Sequence, residues 1–190
     1  MSHARRGRVL PMALVVVAWM LVAAPARADD LPPGQYGVTS GVRQGVGELG
    51  EVFGLGAMIG VNAGYHRSHT DRHWSLGASW AVLWGFFTAD DPGISDESLR
   101  LLELDFNLRA RRLLGGGVPR FLVVTVGATL LRTNVPIPPS TDRTYFGPSI
   151  GLGVEQFLAG KYLLGFEWRY GLLAGGPGSL TGLVTFSFGR

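Results

Sequence analysis

The chain has 190 residues, no cysteine, and 17 basic against 14 acidic residues, a formal net charge of +3 at neutral pH. The missing cysteines exclude disulfide staples, thiol catalysis, thiolate zinc sites and a cysteine-linked lipid anchor. Arg5, Arg6, Arg8 and Arg27 all fall within the first 28 residues, which hold no acid, so residues 29–190 keep 13 basic and 14 acidic side chains, a net −1, and give no footing for nucleic-acid binding.

From the N-terminus, Arg5, Arg6 and Arg8 precede an apolar stretch from Val9 to Ala24, and Ala26-Arg27-Ala28 then offers a small-x-small cleavage site. That order predicts a cleaved signal peptide over residues 1–28, because the apolar run is shorter than the roughly 20 residues of a spanning helix. Residues 29–190 are then one domain. They contain no further run long enough to span as a helix, and their apolar residues are spread out in alternation with small or polar ones, the period-two pattern of strands.

Eight such segments follow in order. Tyr36–Val46 sets Thr39, Gly41, Arg43 and Gly45 on one side, and Phe53–Tyr65 sets Leu55, Ile59 and Val61 against glycines, Met58 and Asn62. Trp74–Phe86 sets Trp74, Leu76, Trp80, Val82 and Trp84 against Ser75, Gly77, Ser79 and Ala81. The strictest case is Leu102–Arg111, where Leu102, Leu104, Phe106, Leu108 and Ala110 oppose Glu103, Asp105, Asn107, Arg109 and Arg111. Phe121–Leu131, Phe146–Gln156, Tyr162–Tyr170 and Leu180–Phe188 repeat the theme, the last three placing Glu155, Glu167 and Arg169, and Thr185 and Ser187 on the small or polar side. The apolar faces are bulky, whereas the opposite faces are too glycine-rich and too sparsely charged for a solvated surface. Such faces suit the narrow interior of a small barrel. The fold class read from this is all-β: a transmembrane, antiparallel, up-and-down β-barrel of about eight strands.

The connectors alternate. Loops at 47–52, 88–98, 133–143 and 172–178 include the two longest, and turns at 66–73, 113–119 and 158–161 lie between them. An even strand count returns both ends of the sheet to one side, with long loops outside and short turns on the periplasmic side. Tyr36, Trp74, Phe157, Tyr162 and Tyr65 fall near expected inner ends, and Trp84, Phe86, Tyr145, Phe146, Trp168 and Tyr170 near outer ends, where interfacial aromatic belts sit.

The segment 34–190 resembles the small eight-stranded outer-membrane barrels of the OmpA, OmpX and OmpW kind. Its most specific element is Leu183-Val184-Thr185-Phe186-Ser187-Phe188, similar to the aromatic-rich last strand that the barrel assembly machinery reads in such proteins, here followed by Gly189 and Arg190. The resemblance implies a place in the bacterial outer membrane, with outer-membrane lipid, lipopolysaccharide and the assembly machinery as partners. It implies no peptidoglycan-binding role, since no second domain follows the barrel.

The candidate site is the inward charge set: Arg43, Glu103, Asp105, Arg109, Arg111, Glu155, Glu167 and Arg169, four bases and four acids. Buried charge is costly unless paired, so an internal ion-pair network that fills the barrel is favoured over a polar path for a solute or proton. His66-Arg67-Ser68-His69-Thr70-Asp71-Arg72-His73 has His69 and His73 four apart near Asp71, but no second ligand set, and reads as a solvated periplasmic turn. Its His66-x-Ser68 pair is similar to that of the outer-membrane lipid A deacylases, but their downstream glutamate is missing and the segment faces the wrong leaflet. Asp90, Asp91, Asp96 and Glu97 form an acidic outer loop without EF-hand spacing, Gly115-Gly116-Gly117 lacks the ending of a phosphate loop, and Val135–Pro139 is a stiff loop. No cofactor, metal site or catalytic constellation is expected. The expected function is a non-enzymatic envelope or surface-loop role. The alternatives are a narrow channel or carrier of small hydrophobic solutes, and a soluble periplasmic lipocalin-like barrel.

Overall fold

The computed structural model describes residues 33–46, 53–68, 74–89, 99–114, 120–134, 143–158, 161–173 and 178–189. The expected signal peptide, the acidic loop, the triple glycine, the proline segment and His69 to His73 lie outside these residues. The strands are β1 (Gly34–Val46), β2 (Phe53–Ser68), β3 (Trp74–Ala89), β4 (Leu99–Leu114), β5 (Arg120–Thr133), β6 (Thr144–Leu158), β7 (Tyr162–Leu172) and β8 (Gly178–Gly189). Each pairs antiparallel with its sequence neighbour, and β8 pairs back onto β1 from Gln35–Gly189 to Val46–Gly178, so the sheet closes. Closure pairs the backbone groups within one sheet and leaves no edge strand, which is what lets a β-structure reside in lipid.

The strands run one to three residues past the alternating segments at several ends, because ladder pairing continues after the side-chain pattern weakens. Thr88 and Ala89 belong to β3, Leu113 and Leu114 to β4, and Thr133 to β5 rather than to connectors. The ladder is regular except for a register shift between Phe53 and Gly56 against β3.

The two faces of the sheet are sorted inside out. On β4, Phe106 and Leu108 are 62% and 70% exposed, while Glu103 and Asp105 beside them are 1% and 0% exposed. The outer wall of every strand carries large exposed apolar side chains, including Val38, Ile59, Trp80, Val126, Ile150, Trp168 and Leu180. A continuous apolar wall of this kind is stable against hydrocarbon and not against water, so the soluble-barrel alternative does not fit it. Rings gather on the wall near the ends: Tyr36 stacks on Phe188, and Tyr162 packs on Phe186 and Phe188. Two rings expected in these belts face inward instead. Tyr145 and Phe157 are 4% and 0% exposed and fill the interior, because their positions share the inward parity of Gly147 and Glu155 on β6.

The lumen as candidate functional site

The alternation on β1, β4, β6 and β7 places all eight charged residues of the candidate set on inward positions, where each is buried or nearly so. β4 supplies four of them because Glu103, Asp105, Arg109 and Arg111 lie at even spacings on one face of one strand.

Seven of the side chains that meet here form one connected chain. Arg169 pairs with Asp105, and its Nη2 lies 3.0 Å from Glu167 Oε1. The other oxygen of Glu167 receives Arg109 Nη2 at 3.1 Å, and the same nitrogen lies 2.7 Å from Glu155 Oε1. Glu155 Oε2 meets Arg111 Nε at 2.5 Å, and Arg111 Nη2 donates to Gln35 Oε1 at 2.7 Å. Arg43 pairs with Glu103, whose carboxyl lies against Asp105 at the end of this chain, and donates from Nε to Thr181 Oγ1 at 2.9 Å. Thr129 donates to Asp105 Oδ1 at 2.6 Å. Every acid therefore has a guanidinium partner, and the four acids and four bases cancel. This is the arrangement in which mutual attraction and hydrogen bonds offset the cost of desolvating each ion.

The network sits between two apolar layers. Towards the long-loop end, Met58, Leu83, Phe87, Leu101, Leu131, Tyr145, Leu173 and Leu183 form one cluster. The Phe87 ring occupies the space that side chains at Gly56 and Gly85 would take, so these glycines are where the ring can cross the lumen. Towards the end where β1 begins and β8 finishes, Phe121, Val123, Phe157 and Leu163 form a second cluster, with Phe121 and Phe157 edge to face at 6.0 Å. Between the layers, a polar cavity of about 30 Å³ is lined by residues including Thr39, Asn62, Asn107, Arg109 and Ser187. A site for a single water needs roughly 10–15 Å³, so this space admits a water or two and no larger solute.

His66 is placed differently from its expected position in a solvated turn. It lies within β2, 5% exposed, with its ring over Gly77, where any side chain would collide with it. The inward parity of Asn62 and Gly64 simply continues through His66, while Tyr65 and Arg67 point out. The polar run from His66 onward reads as a turn, and that hid two further residues of strand. Among the described residues, no group of three His, Cys, Asp or Glu side chains is arranged to hold a metal ion. The lumen also contains the apolar layers, which reasoning from charge missed. Their signal was the bulky inward residues Leu83, Phe87, Leu101 and Leu131, which break the small-residue rule near the loop end of their strands.

Comparison with known proteins fits this architecture. The profile of the family described as outer membrane protein beta-barrel domain matches residues 14–189. Neisserial surface protein A superposes with a TM-score of 0.57 at 13% identity, over 83% of this chain and 97% of that one. Ail, the attachment invasion locus protein of Yersinia pestis, superposes with a TM-score of 0.51 at 14% identity, over 82% of this chain and 97% of that one. At such identities the likeness is one of fold alone. A comparison with curated protein sequences gives no match. With the closed eight-stranded sheet, its apolar outer wall and a family match over nearly its whole length, the chain belongs to the outer membrane protein beta-barrel domain family of the bacterial outer membrane.

Proposed function

We propose that this is a non-enzymatic barrel whose lumen is a packed core rather than a pore, and which serves the envelope through its lipid-facing wall and its outer loops. The observation that carries this reading is the filled interior: a neutral ion-pair chain between two apolar layers, beside a polar cavity of only about 30 Å³. Eight strands enclose a space roughly just wide enough for side chains, and these side chains use it. The end holding the start of β1 and the finish of β8 faces the periplasm, so the long connectors at 90–98 and 135–142 face outward. Residues 1–28 act as the cleaved export signal. The last strand, with Val184, Phe186 and Phe188 on its outward face, is the segment offered to the assembly machinery, and outer-membrane lipid and lipopolysaccharide surround the wall.

The competing reading is a narrow channel in which Arg43, Arg109, Arg111 and Arg169 line a route. The purified barrel in planar bilayers separates the two. A closed core gives no steady ion conductance, and a stable open level whose ion selectivity changes with Arg109→Gln would establish the channel in its place.

A further inference from the structure

The outer wall carries a charge asymmetry that the lumen does not explain. Among the described strand residues, the charged side chains on outward positions are Arg67, Arg100, Arg112, Arg120 and Arg132. All belong to β2, β4 or β5, Arg143 and Lys161 lie just outside the ends of β6 and β7, and all four described acids face inward. The strand residues of β6, β7, β8 and β1 carry no outward charge, and aromatic rings cluster near the end of this wall where β1 begins. On the cationic side, and only part of the way across the wall, lies a groove of about 680 Å³. Ala63, Ala78 and Ala128 form its floor, and the rings of Tyr65, Trp80 and Phe106 rise beside it.

The registers connect groove and charge. Tyr65 pairs with Ala78 at the groove, Arg67 pairs with Leu76 one step further towards the strand ends, and Trp74 pairs with Arg112 one step beyond that. Arg67 and Arg112 therefore stand on either side of β3 at the periplasmic mouth of the groove. The guanidinium of Arg112 lies 5.7 Å from the centre of the Trp74 ring, which orients it along the wall. Both arginines are exposed, and within the described residues neither forms an ion pair.

We infer that this face is a binding site for one glycerophospholipid, with an acyl chain in the Ala63–Ala78–Ala128 groove and the phosphate between Arg67 and Arg112. Two guanidinium groups flanking one strand suit the phosphate oxygens, and an apolar trough leading from them matches a hydrocarbon chain. A second copy of the barrel fits poorly, since the same face would oppose cations to cations with no described outward acid to receive them. The assignment to a phospholipid of the periplasmic leaflet, rather than to the phosphates of lipid A, rests on the orientation given above.

The test is native mass spectrometry of the barrel released from nanodiscs containing phosphatidylcholine with either phosphatidylglycerol or lipid A. Each variant is first shown to be folded by its heat-dependent gel shift. Wild type should retain one phosphatidylglycerol. Arg67→Gln with Arg112→Gln should lower the lipid-bound fraction roughly tenfold, and so should Ala78→Leu, which fills the groove with both cations intact. Arg100→Gln with Arg132→Gln, at the other rim, should leave retention unchanged. Equal loss in the two arginine pairs, no loss in any variant, retention of lipid A instead, or release of a dimer would each overturn the proposal. None of these outcomes depends on conductance, so the closed-core reading stands or falls separately.

Discussion

The middle of the lumen and its two ends solve the same packing problem with opposite chemistry. In the middle, seven side chains from Asp105 to Gln35 are linked by ion pairs and hydrogen bonds. At the ends, Leu, Phe, Met and Tyr side chains fill the bore as a soluble core would. Each ion in the middle is held in place by partners on other strands, so it fixes register across the barrel. The apolar ends are not specific in that way, but they keep bulk water from competing for the pairs. The charges need the seals, because ion pairs weaken as the surrounding dielectric rises.

The largest expected effect comes from removing the acid that holds two bases. Glu155→Ala leaves Arg109 with one partner and Arg111 with only the neutral Gln35. Losing one member of a buried pair costs about 3–5 kcal/mol, and urea unfolding followed by tryptophan fluorescence in detergent should show a destabilisation of that size. An effect below about 1 kcal/mol, the level of exposed pairs, would mean that the middle is wet and the seals do not work.

A smaller loss is expected at the loop-end seal. Leu83 is fully buried within its cluster, and Leu83→Ala removes three heavy atoms from a packed site. The expected cost is about 3 kcal/mol in the same assay, from lost burial and the residual cavity. If the seal is what excludes ions, Leu83→Ala with Phe87→Ala should also bring intermittent conductance to a silent barrel. Silence in the double variant would assign closure to the ion pairs and the second apolar layer at Phe121 and Phe157.

The sequence made the membrane-facing wall and the strand count legible because period-two alternation survives without tertiary information. Leu102 to Arg111 obeys it at every position, and that strand carries half of the charged set. Partners were not legible. Nothing in the spacing of Glu103, Asp105, Glu155 and Glu167 says that Arg169 takes Asp105 while Arg109 bridges Glu155 and Glu167; shear and stagger of the closed sheet decide it. The apolar ends were missed for a related reason. Alternation tells which face a residue occupies, but not its depth along the bore, so Phe157 and Tyr145 looked like belt residues. His66 was lost where a polar strand end and a turn have the same composition.

The smallest expected effect separates the pair at the edge of the network from the middle of the chain. Arg43 bonds Glu103 and Thr181, and Glu103 meets the chain at Asp105, an acid that keeps Arg169 and Thr129 as partners without it. Each single truncation, Arg43→Met or Glu103→Leu, strands one buried ion and should cost several kcal/mol, about 3–5. The double variant strands none. Met and Leu would extend the apolar layer next to them, where Leu101 already borders Glu103 on the same face of β4. Its stability should lie within about 1 kcal/mol of wild type, so the coupling energy nearly equals the sum of the single losses. The corresponding pair in the chain, Arg111→Met with Glu155→Leu, should not recover, because Arg109 loses a partner there. Full recovery at both sites would show the chain to be a set of independent pairs, and recovery at neither would show that Arg43 and Glu103 are tied into the rest of the lumen.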